Sequence, residues 1–201
     1  MTPDSGDLRV FGKNPAMSGM LHQKRIGYIF QDEHIEKEIP LSVMDVISVG
    51  RMGMRGIFKR LNKIDKYAIE TAMKEVGIYT LKDRPAGFLS GGEQRKVSIA
   101  REISREVEIV LLDEILMNLD PVSQMEINNL ISKIYRKYEL TIIFVTHLLH
   151  YLPDGINRII ALKDGKVFWE GKPHELNIAI LTELYGCPKE ALKRYVGTFK
   201  I

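Results

Sequence analysis

The sequence predicts an α/β fold with a mostly parallel sheet, and three observations carry that prediction. Short apolar runs alternate with longer stretches of helical periodicity. Two of those runs, residues 109–112 and 141–145, are too short for anything but buried strands and bracket a helical pattern. Between them Ile127, Leu130, Ile131, Ile134 and Tyr138 recur at helical spacing, which makes a βαβ unit with a crossover helix.

The other elements follow in chain order. Residues 26–30 read as a strand that ends at Gln31 and Asp32. Residues 41–84 read as a mostly helical lobe inserted between strands. It has a first helix over 43–49, a basic loop holding Gly50, Gly53 and Gly56, and a second helix from about Asp65. Ile69, Ala72, Met73 and Val76 lie on one side of that second helix, and Gly77 ends it. Residues 95–101 are predicted helical. Residues 158–162 and 167–169 flank Asp164-Gly165, the signal of a hairpin with a tight turn. Pro173 opens a helix that Gly186 closes, and residues 187–201 form a C-terminal tail. The division expected is one domain over 1–201 with the helical subdomain 41–84 inside it.

Composition sets bounds. A chain of 201 residues with 45% hydrophobic content can bury a sizeable core. Lys and Arg (29) nearly balance Asp and Glu (26) and are scattered, so no nucleic-acid partner is expected. A single cysteine, Cys187, excludes an internal disulfide and fits a reduced, intracellular setting. No run reaches the ~18 apolar residues of a membrane span, and residues 1–10, with Asp4 and Asp7, carry no apolar block of a secretory signal. Contact with a membrane is expected to run through a partner.

Four local patterns carry chemistry. Leu89-Ser90-Gly91-Gly92-Glu93-Gln94 opens a helix. Ser90 and Glu93 have the spacing of a capping box, a purely structural device, while the two glycines let helix N–H groups approach an anion closely. Asp113 and Glu114 end the strand at 109–112, where α/β folds place ligands. There Asp113 could hold Mg²⁺ and Glu114 could polarise a water; a solvated strand end is the other reading. His147 follows the strand at 141–145, and a lone histidine there is more often structural. Gln31 offers an amide that could ligate Mg²⁺ or position water.

Their order is more specific than any one of them. Gln31 after a strand, a helical lobe, Ser90-Gly91-Gly92-Glu93-Gln94, a strand ending in Asp113-Glu114, then Asn118-Leu119-Asp120 and a strand ending at His147 resemble the ABC ATPase family. The resemblance implies a P-loop NTPase-like domain that pairs head to tail with a second ATPase subunit around ATP and Mg²⁺. By motif matching it implies Asp113 and Gln31 at Mg²⁺, with Glu114 and His147 catalytic. Ser90, Gly91, Gly92, Glu93 and Gln94 would lie at the nucleotide of the opposite subunit, and Asp120 at the dimer interface. Transmembrane permease subunits would dock on residues 41–84, which puts the chain on the cytoplasmic side of the membrane. Ile39-Pro40-Leu41-Ser42-Val43 and Leu181-Thr182-Glu183-Leu184-Tyr185-Gly186 look like importers of metal ions or iron chelates.

The sequence also departs from the family. No G-x-x-x-x-G-K-[ST] occurs, and Gly12-Lys13-Asn14-Pro15 is its nearest fragment. Residues 3–12 resemble the strand after the phosphate loop. The sequence therefore predicts a domain lacking its first strand, loop and helix, of marginal stability, and unable by itself to bind or hydrolyse ATP. Ile115-Leu116-Met117 replaces the usual Pro-Thr and small or polar residue after Glu114, and Leu148 replaces the acid after His147. Two alternatives stand beside a transport ATPase: a non-catalytic partner donating Ser90, Gly91 and Gly92 in trans, and a non-transport ABC ATPase.

Overall fold

Three strands, β1 (Ile26–Ile29), β2 (Ile109–Asp113) and β3 (Thr141–Val145), form a parallel sheet in that order. Ile29 pairs with Leu112, and Asp113 with Val145. The computed structural model describes residues 3–15, 24–31, 33, 35–56 and 59–196, without the side chains at 150 and 193–196. The chain divides into two units, residues 1–146 and 147–201.

In the first unit, one face of the sheet is the core face. Ile29, Val110 and Leu112 are nearly inaccessible there. They line an apolar cavity of about 230 Å³ together with Ile99 and Ile103 of α3 (Gly91–Ser104) and Ile131 and Ile134 of α4 (Pro121–Tyr138). Each such side chain contributes about 1.5–3 kcal/mol by leaving water. The opposite face is open at Ile143 and Val145, which are 52% and 49% exposed. The crossover helix and the parallel sheet agree with the sequence. β1 stops one residue before Phe30, and β2 runs on through Asp113.

Between β1 and β2 lies the helical lobe. Its helices are α1 (Val43–Arg55), capped by Ser42 with Asp45, and α2 (Lys63–Glu75), capped by Asn62 with Asp65. The expected glycine loop is corrected, because α1 continues through Gly50 and Gly53 and ends only at Gly56, whose φ is 102°. Gly50 is where α1 crosses α3: a Cβ there would come within 2.6 Å of Arg101 Cγ. Close helix approach thus offsets the ~1 kcal/mol a mid-helix glycine costs. An ion cluster then ties lobe to core. Asp65, 3% exposed, accepts from Arg51 Nε at 2.9 Å and Arg55 Nη1 at 2.7 Å. Arg51 Nη1 also reaches the Ser104 carbonyl at 2.8 Å and Glu106 at 2.9 Å.

The strand expected over residues 3–12 does not form among the described residues. Val10 and Lys13 close a tight turn on each other, with Phe11 and Gly12 at φ 53° and 74°. Asp4-Ser5-Gly6-Asp7 upstream is turn-forming sequence, which leaves no run of residues able to pair. Arg25 lies 3.7 Å over the Phe11 ring and also pairs with Glu108.

The second unit holds an antiparallel pair, β4 (Ile159–Lys163) and β5 (Lys166–Gly171), joined by Asp164 and Gly165 at φ 50° and 73°. Two positive φ values are what a two-residue hairpin turn requires. Leu176, Leu181 and Leu192 form its core, with Trp169 and Ile159 packed on them. Pro173 opens only a single 3-10 turn, a correction to the expected helix start. The helix α5 (Ile178–Tyr185) begins at the Asn177 cap, whose side chain accepts from two N–H groups, and ends at Gly186. The tail contains a last helix, α6 (Lys189–Val196). No helix among the described residues is long and apolar enough to cross a membrane.

Candidate functional site

Because β1 and β2 are parallel, their C-terminal ends share one edge of the sheet, and that edge carries Gln31, Asp113 and Glu114. Asp113 is oriented from the neighbouring strand: Tyr28 donates its hydroxyl to Asp113 Oδ2 at 3.0 Å. That hydrogen bond raises the Tyr28 hydroxyl above its usual range, since losing the proton would place two anions side by side. Glu114 has a backbone that non-glycine residues rarely adopt, with φ 50°. Its N–H donates to the Val145 carbonyl at 3.0 Å and its carbonyl accepts from Met117 at 2.9 Å, so the turn leaving β2 is fixed at both sides. The unusual Ile115 and Leu116 have a structural reason, since they are 0% and 1% exposed and anchor this turn in the core. Gln124 Nε2 braces the turn by donating to the Leu116 carbonyl at 3.0 Å.

The second group of candidates sits at the start of α3. Ser90 Oγ accepts from the Glu93 N–H at 3.3 Å, and Glu93 Oε2 accepts from the Ser90 N–H at 2.8 Å. The Ser90 N–H, followed by its hydroxyl, holds the Glu93 carboxyl below its usual range. The capping box is therefore real, and it uses the Ser90 hydroxyl and the Glu93 carboxylate. The N–H groups of Gly91 and Gly92 head the helix, where the macrodipole favours an anion. Gln94 points elsewhere: it is buried, and its amide lies 3.4 Å from the Ala86 carbonyl.

The fold brings Asp120 to this same place. Asp120 caps α4, accepting from the N–H groups of Val122 at 3.1 Å and Ser123 at 3.0 Å. The Ser123 hydroxyl and these N–H groups lower the Asp120 carboxyl. A Cβ on Gly92 would meet Ser123 Oγ at 2.9 Å, so the N-termini of α3 and α4 lie against each other there and Gly92 is what lets them meet. His147 is the first residue of the second unit, where its carbonyl accepts from the Leu149 N–H at 3.2 Å.

Sequence reasoning missed three residues that organise these groups. Tyr28 orients Asp113, Ser123 packs at Gly92 where the two helix starts meet, and Arg95 donates to the carbonyls of Phe30 and Gln31. The Tyr28 and Arg95 contacts bridge more than sixty positions, so no local pattern announces them. Among the described residues no three His, Cys, Asp or Glu side chains form a metal-binding group. Mg²⁺, which keeps several waters and takes few carboxylates, needs no such cluster, and a single oriented Asp113 suits it.

Residues 1–117 match the family model described as ABC transporter. Among similar proteins is the phosphonates import ATP-binding protein PhnC 2 of Pseudomonas syringae pv. syringae (strain B728a). It is 31% identical over 198 residues, covering 94% of this chain and 71% of that protein. Among solved structures, an inward-facing ABC transporter described as of metal-chelate type superposes with a TM-score of 0.75 at 25% identity, over 82% of this chain and 64% of its own. The protein cbiO1 from Clostridium perfringens, part of the ABC transporter complex cbiONQ, gives 0.73 at 27% identity, over 96% of this chain and 73% of its own. This chain thus spans less than two thirds of the first structure's chain.

The family match corrects the expectation of a domain lacking its first strand, phosphate loop and helix. The matched region starts at residue 1, so the N-terminal segment is family sequence from its first position. The inferred inactivity and marginal stability rested on that truncation and lose their basis with it. A motif string tests one local pattern, whereas a family match weighs the whole run of positions. The chain belongs to the ABC transporter family, within it to the ATP-binding proteins.

Proposed function

We propose that this chain is the ATP-hydrolysing subunit of an ABC importer. The observation that carries the reading is the shared sheet edge bearing Gln31, Asp113 and Glu114, with Asp113 oriented by Tyr28 and Glu114 held at φ 50°. Asp113 and Gln31 would hold Mg²⁺, which supplies charge neutralisation on the phosphates. Glu114 accepts the proton of the attacking water and orients it, and the family resemblance gives His147 a role at the departing phosphate. Ser90, Gly91 and Gly92, with Asp120 beside them, meet the nucleotide of a second ATPase subunit; Glu93 holds that helix start in shape, and Gln94 supports it from beneath. The helices of the lobe meet permease subunits at the cytoplasmic face of the membrane.

Import is the direction that the names of the relatives support. Sequence relatives are phosphonate importers, and one structural neighbour is of metal-chelate type, so both cargo classes stand. The cargo pocket belongs to other subunits.

The test is ATP hydrolysis with Mg²⁺ by the wild-type chain and by Glu114→Gln. The variant is expected to lose turnover by about a thousandfold while its ATP affinity stays within about threefold. A Glu114→Gln protein that hydrolyses ATP at the wild-type rate removes Glu114 from the mechanism. A wild-type chain that neither binds nor hydrolyses ATP sinks the reading as a whole.

A further inference from the structure

Charge is spread along most of the chain, with one exception at the turn between α1 and α2. Residues 46–69 hold six Lys and Arg against a single acid, Asp65, whereas the whole chain has a net charge of +3. The remainder of the chain is therefore net negative, and the excess positive charge is gathered in this one segment. The fold divides the six into two groups. Arg51 and Arg55 pair with the buried Asp65 at 2.9 and 2.7 Å. Lys59, Arg60, Lys63 and Lys66 are exposed, and among the described residues none of their side chains has an ion-pair partner. The turn that presents them is held at both ends. The Gly56 N–H donates to the Met52 carbonyl at 2.9 Å, Asn62 caps α2, and Arg55 Nη1 reaches the Arg60 carbonyl at 3.3 Å. Lys24 adds a cation at the same end of α1, donating from Nζ to the Met54 carbonyl at 2.6 Å. Two apolar side chains stand among the free cations: Ile64 and Tyr67, three apart on α2, are 68% and 74% exposed.

We propose that this turn is a docking surface for an anionic phospholipid bilayer, with Lys59, Arg60, Lys63 and Lys66 at the headgroup phosphates and Ile64 and Tyr67 in the interfacial layer. Charge complementarity selects the partner, because an anionic leaflet attracts basic segments that come within a Debye length of it. The two apolar side chains favour a bilayer over other polyanions. A tyrosine at the interface keeps its ring in apolar surroundings and its hydroxyl in water, an environment that neither a nucleic-acid backbone nor an acidic peptide supplies. The fixed ends of the turn mean that little ordering is left to be lost on docking. The membrane setting rests on the proposed function, whereas docking itself requires no nucleotide, so the two readings fail separately.

The experiment is co-sedimentation of the full chain, without nucleotide, with vesicles of phosphatidylcholine alone or with about 30% phosphatidylglycerol. Wild type is expected to bind the anionic vesicles at ~0.1 M salt, to leave them at ~1 M, and to ignore the neutral ones. Each cation near such a surface multiplies the partition about fivefold, so Lys59→Gln, Arg60→Gln and Lys63→Gln together should reduce it about a hundredfold. Ile64→Ser with Tyr67→Ser should reduce it about tenfold. Lys133→Gln, Lys166→Gln and Lys189→Gln together change the net charge equally and are expected to bind as wild type does. All three variants alter exposed side chains, so their melting temperatures should match that of wild type. Equal binding to both kinds of vesicle, or to neither, overturns the proposal. A loss as large in the control variant as in the turn variant shows attraction by bulk charge and overturns it too. Displacement from the vesicles by RNA or polyglutamate at equal charge concentration reassigns the turn to a nucleic acid or an acidic polypeptide. Vesicle binding by a chain that does not hydrolyse ATP leaves the docking surface standing and defeats only the proposed function.

Discussion

The Tyr28 hydroxyl donates to Asp113 Oδ2 at 3.0 Å from the neighbouring strand, two positions back from the paired register. A ligand carboxylate held by an outer hydrogen bond is fixed in direction before any ion arrives. Tyr28→Phe removes only that donor. It is expected to raise the Mg²⁺ concentration for half-maximal ATP hydrolysis by about tenfold and to leave the melting temperature unchanged. An unchanged Mg²⁺ titration would show that Asp113 needs no such support.

The lobe is fastened by a carboxylate with pH dependence of a definite sign. Burial alone would raise the Asp65 carboxyl, but the Asn62 N–H, Arg51 and Arg55 outweigh it and lower the group below its ordinary 3.8. A depressed folded value means that the contribution is complete above the ordinary value and is lost as pH falls through the lower one. Asp65→Asn leaves Arg51 buried with a weaker set of partners and is expected to cost about 3 kcal/mol in urea unfolding at pH 7. The gap between wild type and variant should narrow below pH ~4. A gap constant from pH ~7 to ~3 contradicts this account.

Gly91 and Gly92 differ in what surrounds them. A Cβ on Gly91 meets only the flexible end of Leu119, at 3.1 Å, whereas one on Gly92 meets Ser123 Oγ at 2.9 Å and Ser123 Cβ at 3.1 Å. Gly92→Ala is expected to destabilise by about 1–3 kcal/mol and Gly91→Ala by less. Adding Ser123→Gly to Gly92→Ala should recover packing, read as a partial return of the unfolding midpoint. If the second change adds to the loss, the two helix starts do not meet as described.

Glu114 carries backbone strain at its left-handed φ of 50°. Such strain costs of order 1 kcal/mol or more, and glycine escapes it. Glu114→Gly is therefore expected to leave stability equal or raised by up to about 1 kcal/mol while removing ATP turnover. A marked drop in melting temperature would mean that the Glu114 side chain is a structural tie and not a residue held in place for chemistry.

What the sequence determined by itself was everything that depends on neighbours a few residues apart. The Ser90–Glu93 capping box, the crossover helix between β2 and β3, and the Asp164-Gly165 turn were all legible, because caps, periodicity and turn preferences act within one or two turns. Local rules also misled where a distant contact overrode them. Gly50 reads as a loop residue but serves a helix crossing, and Pro173 opens a turn that the Asn177 cap then replaces as the helix start. The absent phosphate-loop string was likewise a local test, and the match over residues 1–117 outweighed it. Only tertiary structure decided that Tyr28 reaches Asp113, that Gly92 rests on Ser123, and that Arg95 holds the carbonyls beside Gln31. These contacts depend on how strands and helices are brought side by side. Packing and hydrogen-bond satisfaction in a dense interior set that arrangement, and they leave no periodic trace along the chain.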